Sequence, residues 1–324
     1  MRILVTGAGG FVGRALCPAL KAACHRVHAC VRSQAGTAGL ELAGTLQVAD
    51  IGPETDWGDQ LSGFDAIVHL AARVHVMRET AADPLDAFRR VNVGGTRHLA
   101  EAAAAAGVER LVFLSTVKVM GEATTTRPFT ESDPLRPEDA YGISKMEAEM
   151  ALAAVSEASS LTAVALRPPL VYGPGVKGNF LSLLSAVQRG LPLPFGSIDN
   201  QRSLIYLGNL VSAIVAALEV PEIGSGGYLI RDGEDLSTPE LVRGMAAALE
   251  RPARLLPIPP GLLRLAGRLS GRTGAVDRLL GSLQVDDDAF RRDTGWTPGA
   301  SVVQGLADTA TWYRGDRVAV DQRG

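Results

Sequence analysis

The chain opens Met1-Arg2-Ile3-Leu4-Val5-Thr6-Gly7-Ala8-Gly9-Gly10-Phe11-Val12-Gly13, and this stretch decides the fold. Ile3–Thr6 is a short apolar run of the kind buried on both faces of a parallel sheet. Phe11–Ala23 has the apolar spacing of a helix. Between them Gly7, Gly10 and Gly13 stand at G-x-x-G-x-x-G spacing. Gly7 permits a tight turn, Gly10 lets backbone approach a pyrophosphate, and Gly13 allows close helix–strand packing. The phosphates then meet the free N–H groups and positive end of the helix. Spacing alone says little in a chain with 36 glycines. The strand–loop–helix context is what points to a dinucleotide; the plain alternative is a tight turn with no ligand.

Outward from this unit, strands and helices alternate. Strands are expected at Val27–Val31, Leu46–Ala49, Ala66–Leu70, Arg110–Ser115 and Ala163–Arg167, and helices at Asp86–Ala106 and Tyr141–Ser156. Such alternation implies right-handed crossovers and a parallel sheet with helices on both faces. After Pro168 the pattern changes and loops dominate. Leu204–Leu218 reads as a strand running into a helix, Tyr228–Ile230 as a strand and Pro239–Leu249 as a helix. Pro252–Pro260 reads as extended, Gly261–Leu283 as amphipathic, and the last ten or so residues as frayed.

The 324 residues suffice for a full core, and 46% apolar against 21% charged excludes disorder of the bulk. A net charge of −3 gives no reason to expect nucleic acid. Cys17, Cys24 and Cys30 lack metal-like spacing and read as reduced thiols, and no metal is expected. The start has no secretory character and no apolar run is long enough to span a membrane, so a cytoplasmic protein without membrane insertion is expected.

Two further features bear on chemistry. The second strand ends Val31-Arg32-Ser33, where an Asp or Glu for a ribose 2′-hydroxyl is missing. Arg32 and Ser33 could meet a 2′-phosphate, which favours NADP(H) over NAD(H); NAD(H) stays open, as does a merely solvated Arg32. Asp50 could bind the adenine amino group or cap a turn. Tyr141-Gly142-Ile143-Ser144-Lys145 is Y-x-x-x-K at the start of a helix, with both side chains on one face. The lysine charge can lower the phenol pKa and so suit Tyr141 to acid–base work. Lys145 can also bind the nicotinamide ribose, and Thr116 can hydrogen-bond the substrate oxygen. The bland alternative is an ordinary helix face.

TGAGGFVG, Asp50, HLAA (His69–Ala72), NVGGT (Asn92–Thr96), the LST strand end (Leu114–Thr116), YGISK and RPPLVYGPG (Arg167–Gly175) occur in this order. The set resembles the extended short-chain dehydrogenases/reductases of the nucleotide-sugar type, over roughly residues 1 to 315. The resemblance implies a Rossmann-type doubly wound α/β sheet with a smaller, discontinuous C-terminal cap. The dinucleotide-binding domain would span 1–170, with 203–230 partly returning to it, and 171–324 would mainly bind substrate. It implies catalytic roles for Tyr141, Lys145, Thr116 and Asn92, the last supporting a proton relay. Thr116 is preferred to Ser115 because its separation from Tyr141 matches the family's. Cofactor contacts are implied at Gly7, Gly10, Phe11, Val12, Gly13, Arg32, Asp50, Ile51, Leu70, Ala71, Ala72, Lys145 and Pro168.

Lys118 and Met120 depart from the wider family. The segment TVKVMGE (Thr116–Glu122), with His75-Val76-Met77, is similar to a bacterial subgroup of UDP-sugar 4-epimerases and 4-keto reductases for surface polysaccharides. Substrate contacts are implied at Thr116, Lys118, Tyr141, Asn179, Phe195, Arg202 and Arg278, with Arg264, Arg268 and Arg272 competing for Arg278's role. Asn179 and Arg202 would meet the UDP pyrophosphate, and the Leu193–Gly196 strand the uracil. Lys118 also reads as a lysine pointing into solvent. The expected reaction is hydride transfer at carbon 4 of a UDP-hexose. A reductase of UDP-4-keto-(6-deoxy)-N-acetylhexosamine is preferred to a 4-epimerase that retains NAD. Further alternatives are a hydroxysteroid- or flavonol-type reductase and a non-catalytic NADP(H) sensor. The family habit implies a homodimer through the Asp86–Ala106 and Tyr141–Ser156 helices.

Overall fold

The computed structural model describes residues 1–74, 83–271 and 273–321. Its elements are β1 (Arg2–Thr6), α1 (Phe11–Ala22), β2 (Arg26–Val31), β3 (Gly44–Gln47), β4 (Ala66–His69), α2 (Pro84–Phe88), α3 (Thr96–Ala105), β5 (Arg110–Leu114), α4 (Ala140–Glu157) and β6 (Thr162–Arg167). There follow β7 (Leu170–Tyr172), α5 (Gly178–Gln188), β8 (Arg202–Tyr206), α6 (Leu207–Glu219), β9 (Gly226–Leu229), β10 (Asp235–Leu236) and α7 (Thr238–Ala248). The chain ends with α8 (Pro260–Leu269), α9 (Thr273–Leu280), α10 (Asp288–Thr294) and α11 (Val302–Asp321).

Seven parallel strands form the main sheet in the order β3-β2-β1-β4-β5-β6-β9. The order reverses between β1 and β4, and ligands of such sheets gather at the carboxyl ends of the strands at that switch point. β1 and β4 bury nearly every residue because helices cover both faces. One core lies under α1 and α6, centred on Leu16, Leu20, Leu210 and Ile214. The other lies under α3 and α4, around Leu99, Phe113 and Leu152. A second, three-stranded sheet, β10-β8-β7, carries a third core with α5, α7 and α11. β9, late in the chain, returns to the main sheet beside β6.

Several sequence expectations need correction. The third strand lies earlier, at Gly44–Gln47, because its pairing with His28–Val31 sets its register. Asp86–Ala106 is not one α-helix. Asp83 caps a short α2 by accepting from the Leu85 and Asp86 amides, and Arg89–Gly95 then winds as a π-helix before α3. The loop-rich stretch after Pro168 contains β7 and α5. Within Pro252–Pro260, Leu255 bridges Leu193. Gly261–Leu283 holds two helices, and the carboxyl-terminal helix runs on to Asp321 where fraying is expected. His75-Val76-Met77 and Arg272 lie outside the described residues.

Candidate active site

The glycine loop folds as its spacing demands. Gly7 has φ +69°, and a Cβ there would fall 2.8 Å from the Ala71 nitrogen. A Cβ on Gly13 would lie 2.4 Å from the Gly7 oxygen, so α1 starts hard against the loop. Gly10 is looser, with only the Gly7 oxygen at 3.1 Å, and stands as the N-cap of α1 with no side chain over the helix end. Gly9, which sequence reading passed over, is tighter: its Cβ would sit 2.3 Å from the Gly36 oxygen. Arg14 ties the two segments by donating to the Gly9, Gly36 and Ala38 carbonyls at 3.0–3.3 Å. The open helix end and a loop too close-packed for side chains suit a pyrophosphate.

Around this loop lie the other expected cofactor residues. Phe11 and Val12 begin α1 and pack on the core. Leu70, Ala71 and Ala72 leave the end of β4, and the Ala71 amide donates to Thr6 Oγ1 at 3.1 Å. Ile51 is buried against the π-helix at Gly95. Asp50 is exposed and accepts from the Ile51 amide at 2.9 Å. Arg32 is exposed at the end of β2, its carbonyl held by Gln47. Pro168 is buried after β6, and its carbonyl accepts from Val117 at 2.9 Å.

The chemistry centres on α4. Asp139 caps it by accepting from the Gly142 amide at 2.7 Å. Its inward face buries Ser144, Lys145 and Glu149 among Ala148 and Leu152. Lys145 lies 3.7 Å above the Phe113 ring and is nearly inaccessible. Burial pushes its ammonium down to about 7, partly opposed by Glu149. Tyr141 packs its ring edge on Phe88. Burial, with the Asp139 charge adding, pushes its phenol up to about 12. Neither the phenol nor the Lys145 ammonium has a hydrogen-bond partner among the described residues.

Asn92 is buried in the π-helix. It donates to Ser144 Oγ at 2.9 Å and to the Arg73 carbonyl at 3.0 Å, and accepts from the Arg73 amide at 2.8 Å. The π-turn widens the helix by one residue and is a common device at functional sites. Here it presents Asn92 to α4. Thr116 follows β5 in an extended conformation and accepts from the Lys118 amide at 3.3 Å, which leaves its hydroxyl proton free to donate elsewhere.

The structure brings Tyr141, Lys145 and Asn92 onto or against α4. Lys118 does not point freely into solvent. Its ammonium meets Asp139 at 2.5 Å and Glu122 at 2.9 Å, and these carboxylates hold its pKa up against burial. Glu122 also pairs with Arg278 at 3.4 Å. Arg202 is half-buried and donates to the Arg278 and Gly281 carbonyls at 2.8 Å. Arg278 is thus linked to Lys118 and Arg202, whereas Arg264 lies beside Asp277. Asn179 is exposed in the first turn of α5. Phe195 is half-buried beside a bridge in which the Leu193 amide donates to Arg254 and Leu193 accepts from Leu256, both at 2.8 Å.

Sequence reading missed the supports beneath these groups. Arg167, at the end of β6, grips Glu149 through two nitrogens, the shortest contact 2.6 Å. Ser115 also donates to Glu149. Gly227 makes the room: a Cβ there would sit 2.3 Å from Arg167 Cζ. Glu149 lies one helical turn beyond Lys145, and an arginine closing a buried strand demands such a partner. Thr6, His69 and Phe113 stand in register across β1, β4 and β5. His69 bonds Thr6 Oγ1 at 2.7 Å and Thr96 Oγ1 at 3.0 Å and stacks on Phe113. Burial, with the Lys145 charge adding, pushes its imidazole down to about 3 and keeps it neutral.

Comparisons with known proteins agree with this geometry. The NAD dependent epimerase/dehydratase family matches residues 3–230. A UDP-glucose 4-epimerase of Vibrio cholerae is 43% identical over 311 residues, covering 95% of this chain and 94% of that protein. A 2-alkyl-3-oxoalkanoate reductase of Stenotrophomonas maltophilia is 31% identical and covers 94% of this chain and 97% of its own length. The solved structure of MoeE5 in complex with UDP-glucose and NAD superposes with TM-score 0.77 at 26% identity, covering 98% of this chain and 100% of that one. Among the described residues, no helix is long and apolar enough to cross a membrane. With its reversed strand order, glycine-loop turn and Tyr–Lys helix, this chain belongs to the NAD dependent epimerase/dehydratase family of enzymes.

Proposed function

We propose that the enzyme moves a hydride at carbon 4 of a UDP-hexose, with Tyr141 as acid and base. The observation that carries this is the half-buried Tyr141 and the buried Lys145 one turn apart on α4, with a free phenol and a free ammonium. The loop from Gly7 to Gly13 fits a nicotinamide dinucleotide, whose ring supplies the hydride acceptor or donor when bound. Tyr141 exchanges its phenolic proton with the sugar hydroxyl. Lys145 provides a positive charge one turn away and lowers the cost of the phenolate. Thr116 donates to the same sugar oxygen. Asn92, through Ser144 and the Arg73 backbone, fixes the start of α4. Arg202 and Arg278 suit a dianionic pyrophosphate. In this reading the main sheet holds the dinucleotide, and the segments after residue 170 mainly hold the nucleotide sugar.

The similarity to the Vibrio cholerae 4-epimerase favours 4-epimerisation, with NAD retained between turnovers. Arg32 and Ser33 favour the second reading, a 4-keto reductase that takes NADPH and releases NADP⁺. Native mass spectrometry of the purified protein separates them. Retained NAD supports the epimerase; an empty site that fills with NADPH supports the reductase. In the reductase case Arg32→Ala costs NADPH binding about 1.5–3 kcal/mol and spares NADH. A protein that binds cofactor but turns over no UDP-sugar overturns both. A homodimer through α3 and α4 is part of the proposal, read from the family's habit and checked by sedimentation.

A further inference from the structure

Residues 251–276 contain five arginines and no Asp or Glu, in a chain whose net charge is −3. This stretch includes α8, an amphipathic helix whose apolar stripe is not covered. Gly267 faces α9, where a Cβ on it would meet Val276 at 2.7 Å, and Leu263 is half-buried. The opposite stripe is left bare: Leu262 is 57%, Leu265 53% and Leu269 82% exposed. At about 100° per residue these three fall within one narrow arc, with Arg268 next to it and Arg264 further round toward α9. Leu256, just before the helix, is exposed as well. Arg264 reaches only Asp277, at 4.0 Å, and Arg268 has no ion-pair partner among the described residues.

We infer that α8 docks the enzyme on the surface of a membrane containing anionic phospholipid. A leucine stripe edged by arginines is what an interfacial helix presents: the leucines enter the headgroup boundary and the guanidinium groups stay with the phosphates. The absence of acid over the whole stretch matches a negative surface. The proposal is independent of which substrate the active site takes. It describes peripheral attachment, consistent with the described residues, among which no helix is long and apolar enough to cross a membrane.

The test is co-sedimentation of the full chain with vesicles of phosphatidylcholine alone and of phosphatidylcholine with phosphatidylglycerol. Binding to the anionic vesicles, weakened by salt, is expected. Arg264→Ala/Arg268→Ala should lower that partition about tenfold or more, at roughly 1 kcal/mol per arginine near the surface. Leu262→Ser/Leu265→Ser/Leu269→Ser should lower it at least as far. All five side chains are exposed, so both variants should keep the wild-type circular dichroism. No partition into anionic vesicles overturns the proposal, as does wild-type partition in either folded variant. So does a leucine variant that only changes the oligomeric state without lipid, which would assign the stripe to a protein contact.

Discussion

The Lys145 ammonium rests 3.7 Å above the centre of the Phe113 ring. A buried cation over an aromatic face is attracted by the ring's quadrupole. This contact offsets part of the desolvation that pushes Lys145 down to about 7.

The pH dependence of stability follows from that displacement. Between about 7 and the ordinary lysine value of 10.5, the unfolded chain holds a proton that the folded one lacks. Stability from this group therefore rises with pH across that window, and the full burial cost is present below it. Lys145→Met should be more stable than wild type at pH 7 by a few kcal/mol, with the gap closing by pH 10. Urea midpoints of both proteins at the two pH values check this. Wild-type stability at pH 7 in the variant would show that the buried charge costs nothing.

Tyr141→Phe keeps the ring against Phe88 and removes the titrating group. Turnover should fall by roughly 10²–10⁴. Cofactor affinity, measured by calorimetry, should hold. Activity within a few-fold of wild type would remove Tyr141 from the chemistry.

Asp139 links the Lys118 ammonium to the start of α4 and adds its charge to the forces that raise the Tyr141 pKa. Asp139→Asn keeps an N-cap side chain and drops the charge. The basic limb of the activity profile should then move to lower pH. Lys118→Met leaves that carboxylate unneutralised and should move the limb to higher pH. If Lys118 instead binds sugar equally in ground and transition states, KM rises and kcat holds. Unmoved profiles, KM and kcat in both variants would leave Lys118 a surface ion pair.

Glu149 and Arg167 form a buried ion pair, each side chain about 8% exposed. Removing one partner strands the other charge and should cost about 3–5 kcal/mol. Glu149→Leu alone should therefore be far less stable in urea than Glu149→Leu/Arg167→Met. Equal stability of the two would mean the pair is solvated.

The sequence speaks plainly where the signal is local. The strand, the glycines and the first helix adjoin one another, so Gly7, Gly10 and Gly13 were readable from spacing. Tyr141 and Lys145 were readable because one helix turn sets their geometry. What was not readable depends on pairing across the chain. The Gly9 approach to Gly36 and the Lys118 bond to Asp139 join separate segments. So do the Glu149–Arg167 pair and the Leu193–Leu255 bridge. The π-turn escaped because Arg89–Gly95 has no helix breaker other than its paired glycines. Tertiary bonds from Asn92 accompany the wider winding.

That turn also constrains how the gene can vary in length. An α-helix advances about 100° per residue. The π-turn takes up one extra residue without that rotation, so losing one between Arg89 and Gly95 would restore ordinary winding and leave the two flanks facing as before. Leu99 and Ala103 would keep the core beneath α3, but the widened turn that presents Asn92 to Ser144 would be gone. Substitutions on the exposed side of this turn touch surface ion pairs such as Arg89 with Glu147, whereas a single-codon deletion there removes the geometry that sets Asn92 against Ser144.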